Sequence, residues 1–348
     1  MNIINSTFDQ SVSKKISLRN ELPSDVKRQI LDLYKPNGIR SAFLYLLIFS
    51  LIVTYIYVAV HADSVWITLF AIILIASQQH ALYILNHDAS HFSLFKDKSK
   101  NIYTATILSN YVMFHHPEAW SFTQWRRIHM LHHKHLFTQD DPNYVGREMR
   151  GDTASSPSLV KIILKTLEGV KDCFLDLFFN KVSYINSKGK IYKNHRKHFG
   201  HLFYSFEDDQ EMENERKLSL MFYILSFSII TYLSLWEVFL VYWILPMYTI
   251  YPLILRFHDI TEHYWEEKSA QVEINTRSRK DGLLTKLLIS PLPRGYHCEH
   301  HIFPSIPVTK LPLVNRYMKE HTSLHTEEQG IWGLMKEINT RKKNDITM

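Results

Sequence analysis

Cysteine is almost missing from this chain: 348 residues hold two, Cys173 and Cys298. That excludes a disulfide scaffold, an all-cysteine zinc site and a cysteine-ligated iron–sulfur cluster. No Gly-rich dinucleotide fingerprint is present, nor any internal repeat or low-complexity tract. The first forty residues lack an apolar h-region, so no signal peptide is expected. Basic residues number 40, yet none lies between Ser41 and Phe95 or between Leu218 and Leu255. A net charge of +6 would suit an anionic surface. These cations are spread by topology, however, which argues against nucleic-acid binding.

The stretches without basic residues are long apolar runs. Ser41–Val60 and Val65 to about Leu85 each match the roughly 20 residues that cross a bilayer core as a helix. Leu218–Leu255 carries a single charge, Glu237. As one helix it would be about 57 Å long, nearly twice the core, so a hairpin turning near Ser234–Glu237 is expected. The fold class is thus an all-α integral membrane protein with four transmembrane helices in two hairpins. The positive-inside rule places the N-terminal arm (1–40), the region 96–217 and the chain from Arg256 onward on the cytoplasmic side. Ile102–Phe114 is too short to span and reads as an interfacial or re-entrant segment. Ser158–Phe179 reads as an amphipathic helix on the membrane surface, and the acidic run Glu207–Glu215 as a solvated loop.

What is abundant is histidine, twenty residues. Three clusters stand out: His87 and His91 at i, i+4; His129, His132 and His133 at i, i+3, i+4; and His297, His300 and His301 at the same spacing. On a helix each set shares one face, where imidazoles one turn apart converge. His263, just beyond the last apolar run, is a further candidate. All lie on the same predicted side. Nine imidazoles exceed one tetrahedral zinc and suffice for two ions with four or five nitrogens each. Neutral imidazole suits iron, zinc, copper and nickel alike, so ligand type does not choose the metal. Transporters place their ligands at the bilayer midplane. Here the clusters follow the spans, which disfavours that class. Asp88, Asp140, Asp141, Glu262 and Glu299 adjoin the clusters as candidate partners for the distal ring N–H groups. His80, one face below His87 with Gln78 and Gln79, is a candidate cavity residue. Cys298 reads as packing, and His195, His198 and His201 as a basic face.

The three clusters, the third continuing as His297-Cys-Glu-His300-His301-Ile-Phe-Pro304, resemble the histidine boxes of the membrane fatty acid desaturase and hydroxylase superfamily. The stretch from Tyr296 to Pro312 is similar to bacterial acyl-lipid desaturases, and Thr261-Glu262-His263 to the family's extra Glu-His ligand. The resemblance spans roughly residues 40–315, a membrane desaturase domain between the arm and a basic tail, 316–348. It implies two iron ions (Fe2+/Fe3+) held by the nine histidines, with no catalytic residue separate from them and a helical cap on the cytoplasmic side. It further implies O2 as oxidant and a membrane lipid or acyl chain as substrate. Glu262-His263-Tyr264 and the first cluster also resemble alkane hydroxylases and carotenoid-modifying relatives, which leaves a hydroxylase or ketolase as the alternative. With no fused electron-transfer segment, a separate ferredoxin or cytochrome b5-type donor with its reductase is expected. Arg126, Arg127 and Lys134 are candidates for docking it, or for meeting anionic headgroups.

Overall fold

The computed structural model describes residues 18–113, 121–138, 140–144, 160–168, 170, 183–185, 191–193, 210–263, 276–324, 326, 330–333 and 336. These are helical apart from turns and one short antiparallel ribbon, β1 (Ser183–Ile185) with β2 (Ile191–Lys193), paired from Ser183–Lys193 to Ile185–Ile191.

After α1 (Ser24–Asp32) come two long apolar helices, α2 (Gly38–His61) and α3 (Val65–Ser90). Asn37 caps α2 by accepting from the Arg40 N–H at 3.0 Å. The turn between them places Asp63 at φ 42, a left-handed conformation that aspartate tolerates. Ser41, at the start of α2, donates to the Leu94 carbonyl beyond the end of α3 at 3.0 Å. The two helices are therefore antiparallel, and the ends bearing Ser41 and the first histidine cluster lie together. Only Ser41, Ile48, Ile52 and Ala59 of α2 are buried. Ile39, Phe43, Leu46 and Val53 stand exposed, an apolar face suited to lipid rather than water. By contrast, α3 is buried over most of its second half and forms the axis of the fold.

The helix α3 ends in a left-handed residue, Phe92 at φ 56, where the Phe92 and Ser93 N–H groups bond to the Ala89 and Asp88 carbonyls at 2.9 and 3.2 Å. A bulky residue in that region costs about 1–2 kcal/mol. The Asn101 side chain latches the following turn to Leu94 and Phe95, and Asp97 accepts from the Ser99 N–H at 2.8 Å to open α4. The helix α4 (Lys98–Met113) is longer than the expected interfacial segment and packs against α3. Its Asn101, Ala105, Thr106 and Asn110 are buried. Phe114 falls outside the described residues.

Ser121 caps α5 (Phe122–Lys134) by accepting from Gln124 at 3.0 Å. The expected acidic loop is corrected from Gln210 onward. These residues open α6 (Gln210–Tyr232), and Glu215 is fully buried. Its carboxylate accepts from the Thr123 N–H at 3.1 Å and from the Thr123 hydroxyl. A carboxylate at a helix N-terminus satisfies free N–H groups and meets a favourable dipole, so this acid fastens α5 rather than meeting water. In 158–179, residues 160–168 form a helix with Val160, Leu164 and Leu167 exposed and Ile162 and Thr166 buried.

The turn expected near Ser234–Glu237 lies there: α6 stops at Tyr232, Ser234 has φ 54, and α7 (Trp236–Glu262) begins. Within α7, Leu240–Ile244 is a π-helical turn just ahead of Pro246. The Trp243 carbonyl there accepts from the Gln79 amide at 2.9 Å, and its indole donates to the Tyr111 carbonyl at 3.0 Å. Among the described residues three helices, α2, α3 and α7, are long and apolar enough to cross a membrane. The charged first turns of α6 leave an apolar stretch of about 15 residues, about 22 Å, short of the roughly 30 Å core.

The chain closes with α8 (Leu283–Leu288), α9 (His297–Ile302) and α10 (Leu311–His321), whose Leu311, Val314 and Met318 join the core. Gly295, just before α9, touches the neighbouring segment closely. A Cβ there would lie 2.7 Å from the Arg279 carbonyl oxygen and 2.9 Å from the Asp281 carboxylate. Gly295→Ala is expected to destabilise the protein by about 1–3 kcal/mol, as overpacking does. Thermal unfolding of the detergent-purified protein checks this; an unchanged midpoint contradicts it.

Candidate metal centre

The ends of four helices meet at one place. The final turn and C-cap of α3 bring His87 and His91, α5 brings His129, His132 and His133, the C-cap of α7 is His263, and α9 brings His297, His300 and His301. The structure gathers all nine sequence-predicted histidines into two groups. His87, His91, His129, His133 and His300 form the first; His132, His263, His297 and His301 form the second. In each group one nitrogen per ring lies within 4.8 Å of the others. The groups adjoin, with the His133 and His301 rings 4.3 Å apart. Because α5 and α9 each feed both groups, the i, i+3, i+4 spacing serves two sites rather than one.

The nitrogens are crowded in a way hydrogen bonding does not explain. Nε2 of His129 is 2.9 Å from Nε2 of His91 and 3.1 Å from that of His133, which is 3.0 Å from that of His300. In the second group, Nε2 of His297 is 2.7 Å from His263 and 3.1 Å from His301. A ring nitrogen offers one proton or one lone pair in its plane, not two such bonds. Imidazole nitrogens bound at 2.0–2.1 Å and at right angles around one ion lie about 3 Å apart. The donor set therefore fits a metal in each group.

Protonation agrees. Burial, then the neighbouring Arg126 and His132, pushes His91 down to about 3. Burial, reinforced by neighbouring histidines, holds His129, His133, His300 and His301 well below the ordinary value. These rings are neutral at pH 7, the form that ligates.

Around the rings sit two buried carboxylates. Nδ1 of His132 lies 3.0 and 3.1 Å from the oxygens of Asp141, which also accepts from the Phe137 and Asn143 N–H groups at 2.9 Å each. This fixes the proton of a neutral His132 on Nδ1 and leaves Nε2 for the second group. Asp140, its neighbour, is exposed. Glu262 approaches Nδ1 of His297 at 3.8 Å and is clamped by Arg294 at 2.8 and 3.0 Å. Asp88 instead accepts from the Val308 N–H at 2.9 Å, tying α3 to the segment after α9. Glu299 accepts from Ser278 and Asn315, and burial raises its carboxyl above the usual range. Asp141→Asn is expected to weaken the second group's metal affinity or turnover about 10- to 100-fold. Titration with Fe2+ or Zn2+ checks it, and wild-type affinity contradicts it.

A comparison of the chain with protein families matches the fatty acid desaturase family over residues 63–328. The chain belongs to that family. A relative from Bradyrhizobium elkanii, dihydrorhizobitoxine desaturase, is 24% identical over 255 residues. The aligned stretch covers 70% of this chain and 65% of the relative, so the chain spans just under two thirds of that protein's length.

Other sequence readings fare differently in this desaturase-family chain. His80 lies outside both groups; its Nδ1 bonds to the Ile289 carbonyl at 2.9 Å and its ring lies 4.5 Å from that of His258. Cys298 is core packing. Arg126 is half-buried, donating to the Ser90 carbonyl at 2.7 Å and lying 4.2 Å over the Phe92 ring, contacts that fasten α5 to α3. His115, His116, His195, His198 and His201 fall outside the described residues. Sequence reasoning missed Trp125, whose ring stacks 5.4 Å from that of His129. Its i−4 spacing from His129 was a usable signal. It also missed Arg279 and Arg294, which lie in irregular segments without periodicity.

Proposed function

We propose that this protein is an oxygen-dependent fatty acyl desaturase that introduces a double bond through two iron ions, one in each histidine group. The observation that carries this is the gathering of nine buried or half-buried imidazoles into adjoining groups of five and four at the end of apolar helices. The ligand set proposed is His87, His91, His129, His133 and His300 for one ion, and His132, His263, His297 and His301 for the other.

An unactivated methylene offers neither an acidic proton nor an electrophile, so acid–base or nucleophilic side chains cannot begin the reaction. The bound iron pair supplies oxygen activation and hydrogen-atom removal. The balanced reaction is –CH2–CH2– + O2 + 2 e− + 2 H+ → –CH=CH– + 2 H2O. The chain's own residues hold and orient the centre. Asp141 fixes the orientation of the His132 ring, and burial keeps His91, His129, His133, His300 and His301 neutral. The electrons come from a separate ferredoxin or cytochrome b5-type donor with its reductase.

We read the topology as two hairpins, α2–α3 and α6–α7, each crossing twice, the second formed by Leu218–Leu255 with its turn near Ser234–Glu237. The arm (1–40), the central region and the tail (316–348) then share the cytoplasmic side with the histidine groups, and residues 41–315 form the desaturase domain. The substrate is a membrane lipid or other acyl chain. A desaturation outcome is supported by the family and by the relative's name.

Expression in a host lacking the activity, followed by mass spectrometry of its lipids with double-bond localisation, tests the proposal. New unsaturation at a defined position is expected. An oxygenated chain would assign the protein to the hydroxylases or ketolases, and unchanged lipids would remove the acyl substrate.

A further inference from the structure

Resting on that reading, we propose that Arg294 and Glu262 are positioning residues for the second histidine group alone, a clamp that sets His297 and so the affinity of one of the two metal sites. Glu262 ends α7 and directly precedes His263. Arg294 lies three residues before His297. Its Nε and Nη2 donate to the two oxygens of Glu262 at 2.8 and 3.0 Å, a two-pronged contact that fixes the carboxylate in plane as well as in position. The far oxygen is 3.8 Å from Nδ1 of His297, one small ring rotation from a hydrogen bond that would hold the ring's tautomer and turn Nε2 toward the second group.

The surroundings make the clamp rigid. Nδ1 of His258, one turn before Glu262, is 2.8 Å from Nη2 of Arg279 and 3.3 Å from Glu262. An arginine only donates, so this Nδ1 accepts from Arg279 and a neutral His258 carries its proton on Nε2. Arg279 is further held by Asp281 at 3.1 Å. The backbone repeats the link: the Arg277 N–H donates to the Glu262 carbonyl at 3.0 Å, and the Arg279 N–H to the Gly295 carbonyl at 2.8 Å. The Arg294–Glu262, Arg279–His258 and Arg277–Glu262 contacts join the end of α7 to the segments that lead into α9. Those two segments supply His263, His297 and His301, three of the second group's four histidines. Four of the first group's five histidines come from α3 and α5, which are joined separately through Arg126.

The test uses the full-length protein in detergent, loaded with iron and measured for iron per chain and for iron affinity. Glu262→Gln keeps the shape of the side chain and is the variant safest for folding; Arg294→Gln removes the clamp. Wild type is expected to hold two irons. Each variant is expected to hold one tightly and the second about 10- to 100-fold more weakly, and adding His91→Ala to either should remove the tight one. Two irons held as tightly as in wild type overturn the clamp while leaving the desaturase reading intact. Loss of both irons with an unchanged far-UV circular dichroism spectrum also overturns it, since the contacts would then serve the whole centre. A wild-type chain unable to hold two metals contradicts the desaturase reading itself.

Discussion

His132→Ala and His300→Ala are each expected to abolish turnover while the protein still inserts into the membrane. The two residues sit in different groups, His300 in the group of five and His132 in the group of four, so the pair of variants probes both sites. Each truncation removes a nitrogen that no other described side chain replaces at that spacing. His132→Ala also removes one partner of the fully buried Asp141 carboxylate, which keeps the Phe137 and Asn143 N–H groups. The loss should exceed the roughly 100-fold that removal of an outer partner produces. Insertion should survive because the lipid-suited faces of α2, α3 and α7 lie away from these rings. Product formation by lipid mass spectrometry, with membrane fractionation as control, checks the expectation. Retained turnover in either variant removes that histidine from the ligand set.

Stripping the metal should make the protein both less stable and acid-sensitive. An ion that binds only the folded chain stabilises it by about 4 kcal/mol at a free concentration about a thousand times its dissociation constant. Two such sites make metal removal the largest stability change expected here. The pH dependence follows from the histidines outside the spans. Burial lowers His91 to about 3, and His129, His133, His300 and His301 shift the same way. In the unfolded chain these rings titrate near 6.5. Between the two values the unfolded chain binds more protons. Stability of the metal-free protein is therefore complete above about pH 6.5 and falls as pH drops from there toward about 3. Bound metal occupies the same lone pairs and should carry the protein to lower pH before it unfolds. Thermal unfolding with and without a chelator, across pH 5–8, checks this; coincident curves contradict it.

How much of this was readable from residues alone depended on periodicity. The histidine sets were legible because helical spacing projects side chains onto one face, and His263 because it follows an apolar run. The spans α2 and α3 were legible because each is an apolar run of bilayer-crossing length, and the break at Ser234 because the apolar run was too long for one crossing. The partition into groups of five and four was not legible. It depends on how α5 and α9 cross, which spacing within a helix does not encode. Glu215 was misread because a run of acids looks solvated until a helix N-terminus, here Thr123, arrives to use one. Asp140 and Asp141 looked alike in sequence; only the fold decides that Asp141 is buried, accepting from the Phe137 and Asn143 N–H groups, while Asp140 is exposed. Arg294 and Arg279 carry no periodic signal, since they act from irregular segments through a carboxylate.

The central claim is that each histidine group holds its own ion, and anomalous scattering from crystals of the iron-loaded protein tests it most directly. Data collected on either side of the iron absorption edge should show two iron peaks per chain, one enclosed by His87, His91, His129, His133 and His300, the other by His132, His263, His297 and His301. A single peak, or iron lying away from these rings, would contradict the account.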